Sequence, residues 1–210
     1  MNAKQKILEY IGPAKSRKVM AWVFFGLTAA LAAAGGVLTA LIDANWTGAL
    51  FAIAIIPLGL WIMSASSCSE ANKRAKRCLK RLEELDLLES AAAELDAGDA
   101  LVVGKDSSRL TEHFAFRKHS GVAVAFDDVR WVFLYPGRDN HIPITTNTKT
   151  GASFAPVSLP NRKANVEQIQ TAFAYLAQHC NNAMVGYNDE NLAKDREIKK
   201  HLKTEAKAKK

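Results

Sequence analysis

Charge is what the middle of this sequence lacks. Residues 19–67 carry one charged side chain, Asp43, in 49 positions. A soluble domain does not fold around such a stretch, because its helices keep a polar face toward water. Cysteine is scarce too: Cys68, Cys78 and Cys180 form no CxxC pair, which excludes a zinc ribbon or a thioredoxin-type redox motif. They read as small buried side chains. The histidines, His113, His119, His141, His179 and His201, make no HExxH motif and no helical pair, so neither a metal site nor any cofactor is expected. No serine sits in a GxSxG elbow. Gly35 and Gly36 lie inside an apolar run, where they favour close helix packing over phosphate binding. The sequence therefore offers no catalytic constellation, and the chain is read as a non-enzyme.

Two apolar runs fill the uncharged stretch. Val19 to Ile42 has no charge in 24 residues, and Thr47 to Ser67 follows after the short connection Asp43-Ala44-Asn45-Trp46. About 20 apolar residues cross the hydrocarbon core of a bilayer, so both runs are long enough to span as a helical hairpin. Trp22, Trp46 and Trp61 fall near the ends of the runs, where amphipathic rings favour the interface. A cleavable signal is the competing reading of the first run, but its length and the immediate second run favour a retained span. Lys4, Lys6, Lys15, Arg17 and Lys18 precede the first run, while the connection has no Lys or Arg. Basic flanks stay on the cytoplasmic side, which predicts an inner-membrane protein with both termini in the cytoplasm.

Six Lys or Arg crowd the ten residues NKRAKRCLKR at 72–81. On a helix Lys73, Arg74, Arg77, Lys80 and Arg81 share one face, and Ala75, Cys78, Leu79 and Leu82 share the opposite one. The basic face is the candidate contact with anionic lipid headgroups, at about 1 kcal/mol per residue near the surface. The acidic run Glu83, Glu84, Asp86 and Glu89 just beyond would repel phosphate of nucleic acid, so no nucleic-acid partner is expected. In the first span Gly26, Ala30, Ala34 and Gly36 are small residues near fourfold spacing. They let helices approach closely, either between chains in a homo-oligomer or against the second span.

The remaining chain changes period. From Glu70 to Ala97 there is no Gly or Pro, and leucines recur every three or four residues, which predicts one long helix stopped by Gly98. Short alternating strands follow at 101–104, 110–118, 121–126, 129–135 and, as a hairpin around Thr148-Lys149-Thr150, in HIPITTN and GASFAPV. Pro143 predicts an edge strand. Asn165 and Gln168 have capping-box spacing ahead of a stripe of Val166, Ile169, Phe173, Leu176 and Cys180. The tail has little to bury and reads as a solvated helix. The expected order is a basic N-terminus at 1–18, two transmembrane helices at 19–67, an amphipathic helix at 68–98, a small β domain with a closing helix at 99–183, and a basic polar tail at 184–210.

An antiparallel sheet of six or seven strands closed by one amphipathic helix looks like a pleckstrin-homology-type (PH-like) barrel. The stretches VAVAFDDVRWVFLY and VGYNDEN, with the two preceding spans, resemble a group of bacterial two-span membrane proteins carrying a cytoplasmic PH-like domain. The resemblance covers roughly residues 19–191 and implies an α+β membrane protein that displays a PH-like domain; it implies no activity. The leading expectation is a scaffold for a protein partner. One alternative is a lipid-headgroup reader using Lys105, Arg109, Arg117, Lys118 and Arg138. The other is a membrane-bound enzyme with dispersed residues such as Asp127, Arg130 and His141.

Overall fold

The computed structural model describes residues 2–41, 44–135 and 140–208, without the side chains of 36, 38–41, 44–52 and 206. The Asp43 turn and Arg138 therefore lie outside the described residues, as does Gly36 beyond its backbone. The chain is α+β and divides into two compact units, Pro13–Lys73 and a second made of Met1–Gly12 with Arg74–Lys210.

The first unit contains α2 (Lys15–Leu41) and most of α3 (Ala44–Glu84), which follow a short helix α1 (Ala3–Ile11). Both are long and apolar enough to cross a membrane. On α2 the half-buried Ala21, Phe24, Thr28 and Leu31 and the buried Gly35 form one stripe, and Phe25 meets Trp61 of α3 with ring centroids 5.4 Å apart. Among the buried or half-buried positions of α3, Ala54, Pro57, Trp61, Ser64, Cys68, Ala71, Ala75, Cys78 and Leu82 follow one another in steps of three and four, with Ala65, Asn72, Leu79 and Arg81 flanking that line. That is the spacing of a knobs-into-holes seam.

The second unit is built on two four-stranded sheets, ordered β1-β2-β3-β4 and β7-β6-β5-β8. The first comprises β1 (Leu101–Val103), β2 (Ser108–Leu110), β3 (Phe114–Arg117) and β4 (Val122–Ala125), all antiparallel. The second comprises β5 (Val129–Leu134), β6 (His141–Thr148), β7 (Ser153–Pro160) and the short β8 (Met184–Val185), which joins β5 in parallel. The expected closed barrel is not what the strands form: they make two sheets that do not close on each other. The single strand expected at 110–118 is broken by a turn in which Thr111 N–H donates to the Phe114 carbonyl at 2.9 Å.

Period-2 alternation explains the layers. On β4, Val122 and Val124 point to a core shared with Val132, Ile144, Val157 and α5 (Lys163–His179), whereas Ala123 and Ala125 point to a second core. In that second core Phe114 and Phe116 of β3 pack with Ile7 and Ile11 of α1, Leu79 and Leu82 of α3, and Ala91, Ala92 and Leu95 of α4 (Leu88–Asp96). The register sets Phe114 beside Ala125 and Phe116 beside Ala123, large against small. So α1, which lies in the basic N-terminus expected at 1–18, is part of the β unit. The β3–β4 turn holds its C-terminal carbonyls: Gly121 N–H donates to Ile11 at 2.7 Å and His119 N–H to Tyr10 at 3.1 Å, satisfying groups a helix end leaves open.

Four further expectations change. The helix predicted over 70–97 breaks at Asp86 (φ 57°), where Asp86 N–H donates to Glu83 and Leu87 N–H to Leu82. This is the paired capping pattern of a Schellman motif, with Asp where glycine is usual. Pro143 sits on β6, an interior strand, but beyond Ile144, the last residue paired with β5. Its missing N–H thus costs no ladder bond there. The capping box is not used: α5 starts at Lys163 after Arg162, Asn165 Nδ2 donates to the Pro160 carbonyl at 2.8 Å, and Gln168 Oε1 accepts from Gly104 N–H at 3.2 Å. Val166 is exposed, and Ala172 replaces it in the buried stripe. The tail forms α6 (Asp189–Ala208) as a helix, yet it buries a carboxylate, Asp195, against Arg130 of β5.

Candidate functional site: a basic helix face and the cleft beside it

The last turns of α3 carry the densest run of basic residues in the chain. Lys73, Arg74, Lys76, Arg77 and Lys80 are exposed, and Ala75, Cys78, Leu79 and Leu82 on the other side are buried, as the helical spacing predicts. Arg81 differs from its neighbours. Its Nη2 donates to Asp128 Oδ1 at 2.7 Å and its Nε to Oδ2 at 3.1 Å, while Nη1 reaches Glu84 at 3.3 Å. Asp128 is 4% exposed, in a single 3-10 turn (Phe126–Asp128) between β4 and β5. The pair therefore fastens α3 to the sheets, and Arg81 belongs to the fold rather than to the open basic face. Lys80 has Glu84 at 3.7 Å, the i,i+4 partner its spacing implies.

Beside this face lies a cleft of about 260 Å³, lined by Arg77, Cys78, Arg81 and Leu82 of α3, Ala123 and Ala125 of β4, and Thr148, Thr150, Ala152 and Phe154 of the β6–β7 hairpin. Its origin is in the side-chain sizes. Where β3 fills the space under the helices with Phe114 and Phe116, β4 offers only alanines, and Ala152 leaves room from the hairpin side. The walls are apolar; polarity gathers at the rim, in Arg77, Lys80 and Glu84, with the Thr148 and Thr150 hydroxyls 2.9 Å apart.

The other candidates are placed apart or already paired. Arg109 and Lys118 both donate to Asp106 at 2.7 Å, and these two hydrogen bonds hold the Asp106 carboxyl below its usual range. The same cations flank the Tyr10 ring at 5.3 and 5.8 Å, and burial, followed by the Asp106 charge, pushes that phenol up to about 12. Arg117 donates to the Ala155 carbonyl at 3.2 Å, and Lys105 is exposed. Asp127 is exposed, Arg130 is buried against Asp195, and His141 pairs with Pro160 at the far end of β6. Six residues of strand, roughly 20 Å at about 3.3 Å each, separate His141 from Asn147, which also binds Asp195 at 3.1 Å. The dispersed catalytic set is thus not assembled. Among the described residues no group of three or more His, Cys, Asp or Glu is placed to hold a metal ion.

Sequence reasoning missed Asp128, Asp195 and Asp106 as organising carboxylates. Each lies in a turn or polar tail, where an acidic residue reads as solvated. In the spans Gly26, Ala30 and Ala34 are all exposed, and a Cβ added at Gly26 would meet nothing within 4 Å. They therefore lie off the stripe that α2 turns inward. The chain matches no family model, no curated protein and no solved structure.

Proposed function

We propose that this is an integral membrane protein with a two-helix anchor, which presents its α+β unit at the cytoplasmic face as a non-enzymatic interaction module. The observation that carries the reading is the inside-out character of the hairpin. Trp22 is 73% exposed, Met63 68%, and Ile55 and Ile56 66% each, while the inward stripes mix small or polar side chains such as Ala54, Ser64 and Gly35 with Phe24, Leu31 and Trp61. Large apolar side chains turned outward along two helices need an apolar solvent. The basic turns at 73–80 then serve two ends: they retain that side of the hairpin in the cytoplasm and attract anionic headgroups. A headgroup-reading role is favoured over an enzymatic one because Arg77 and Lys80 stand on the polar rim, with Glu84 beside Lys80, and the walls of the cleft are largely apolar.

The three native cysteines are buried, so a Lys149→Cys variant reports topology with low background. A membrane-impermeant maleimide should label it only after the cells are opened. Labelling in intact cells overturns the cytoplasmic placement, and full extraction by alkaline carbonate overturns the anchor.

A further inference from the structure

The cleft is too well placed to be a packing gap alone. It sits between the buried side of α3 and the β6–β7 hairpin, floored by Ala123, Ala125, Ala152 and Phe154 and rimmed by Arg77 and Lys80. Its two ends differ chemically. The floor is apolar apart from the Cys78 thiol, and the buried Asp128 and Thr148 that also line the cleft are already bonded to Arg81 and to the Ala152 carbonyl, so water inside it would find few free partners. The rim carries cations and the hydroxyls of Thr148 and Thr150. Arg81 is committed to Asp128, and Glu84 lies against Lys80 and Arg81. Among the described residues, that leaves Arg77 as the rim cation without a hydrogen bond or ion pair.

The size narrows the occupant. About 260 Å³ is the room of about nine waters at ~30 Å³ each. It is below the about 300–1,000 Å³ of sites that enclose whole drug-sized ligands. A two-chain phospholipid does not fit, and a free inorganic anion leaves the apolar floor unfilled. A single chain with an anionic head matches both ends.

We propose that this cleft binds a single-chain lipid anion drawn from the membrane, a fatty carboxylate or an alkyl phosphate, with its head at Arg77 and Lys80 and its chain over Ala123, Ala125 and Phe154. The inference rests on the membrane-anchor reading only for the source of the ligand; the cleft itself lies wholly within the β unit. Occupancy would couple the lipid to the α3–hairpin contact beside the Arg81–Asp128 pair.

The test uses the full chain in a nonionic detergent micelle, labelled with a photoreactive dodecanoate analogue and, in a parallel arm, its neutral dodecanol counterpart. Cross-links should map to peptides containing Ala123–Ala125 and Phe154, and dodecyl phosphate should compete where inorganic phosphate does not. Ala125→Leu should cut labelling at least fivefold by filling the floor. Ala152→Leu does the same from the hairpin wall, where a larger side chain is more easily accommodated, and serves if the first variant fails to fold. Arg77→Gln with Lys80→Gln should erase the preference for dodecanoate over dodecanol. Cross-links mapping only to α2 or the apolar part of α3, labelling unchanged by both leucine variants, or competition by inorganic phosphate alone would each overturn the proposal. A wrong-sided Lys149→Cys result would overturn the anchor topology and leave this cross-linking map untouched, so the two readings fail separately.

Discussion

Removing Arg81 should cost far more than removing any neighbouring lysine. Arg81 is one of six cations in ten residues, and a reading by charge alone makes the six equivalent. The structure separates them: the Asp128 side chain is 3% exposed and its two oxygens are held by Arg81 Nη2 and Nε at 2.7 and 3.1 Å. Arg81→Ala leaves that carboxylate buried without its partner, a change that costs about 3–5 kcal/mol. The Arg81 side chain is itself 30% exposed, so water replaces part of the lost pairing and the expected loss is near the lower end, about 3 kcal/mol. At about 2–4 °C per kcal/mol for a domain of ~150 residues, the unfolding midpoint should fall by about 6–12 °C. Lys76→Ala and Lys80→Ala, whose side chains stay in solvent, should move it by less than ~2 °C. The assay is thermal unfolding of the full chain in detergent, followed by the emission of the buried Trp131. The double variant Arg81→Met with Asp128→Leu removes both charges at similar volume and should lose much less than the two single losses added. An additive double variant, or a midpoint for Arg81→Ala within 2 °C of the parent, would refute the idea that this pair fastens the helix.

Three further outcomes follow from the geometry. Asp195 Oδ1 accepts from Arg130 Nη2 at 2.5 Å, and Arg130 Nε and Nη1 are buried without another partner. Asp195→Ala should therefore cost about 3–5 kcal/mol and release α6 to trypsin, while Lys194→Ala leaves the digestion pattern intact. His113 Nδ1 lies 2.7 Å from Glu94, and this hydrogen bond raises the His113 value above its ordinary 6.5, outweighing desolvation. A raised histidine gives stability that is complete below 6.5 and lost as pH rises through the folded value. For Glu94, desolvation pulls upward, but hydrogen bonds from Thr111 and from His113 win and lower it below 4.5, so its share is present above 4.5 and lost on further acidification. Hydrogen exchange corrected for intrinsic rates should show α4 loosening above neutrality in the parent and no such slope in His113→Gln. Finally, the exposed face of Gly26, Ala30 and Ala34 predicts self-association in native membranes; Ala30→Leu should weaken cross-linked dimers severalfold, and absence of dimers in the parent ends the idea.

Much of the fold was legible where one period held. The hairpin of apolar helices, the amphipathic turns at 73–82, the VAVA and VRWVFL strands and the 148–150 turn all follow from spacing and composition. Most of the failures share a cause. At Asp86 the leucine rhythm continues through Leu82, Leu85 and Leu88 on both sides, and only the backbone turns; without a glycine, nothing local marks the left-handed residue. Asp195 pairs with Arg130 across 65 positions, and no short-range pattern encodes such a contact. At 110–118 three consecutive polar residues, Thr111, Glu112 and His113, interrupt the strand pattern, and hydrogen bonds between Thr111 and Phe114 close a turn there. The cleft was illegible for the same reason as the Asp195 contact, since it exists only because alanines of β4 and the 152 position meet across two sheets.

The crowding of basic residues at 72–81 now has a structural explanation. Along α3 the seam positions 54, 57, 61, 64, 68, 71, 75, 78 and 82 are buried or half-buried throughout. Through the apolar run the residues off the seam are large and lipid-like, Ile53, Ile55, Ile56, Ile62 and Met63. After Cys68 the seam continues with Ala71, Ala75, Cys78 and Leu82, joined by the buried Leu79, and the exposed residues include Lys73, Arg74, Lys76, Arg77 and Lys80. The exposed surface of this helix thus changes from apolar to cationic along its length. That change marks where the surrounding medium is expected to pass from lipid to water. A substitution on the seam, such as Ala75→Lys, should therefore unfold the β unit without altering topology. An off-seam block such as Lys73, Arg74, Arg77 and Lys80 to Gln should alter insertion or lipid contact and leave the β unit's unfolding midpoint within ~2 °C. Carbonate extraction with Lys149→Cys labelling reads the first property and Trp131 emission the second. A block variant that unfolds the domain would show that the basic face is structural after all.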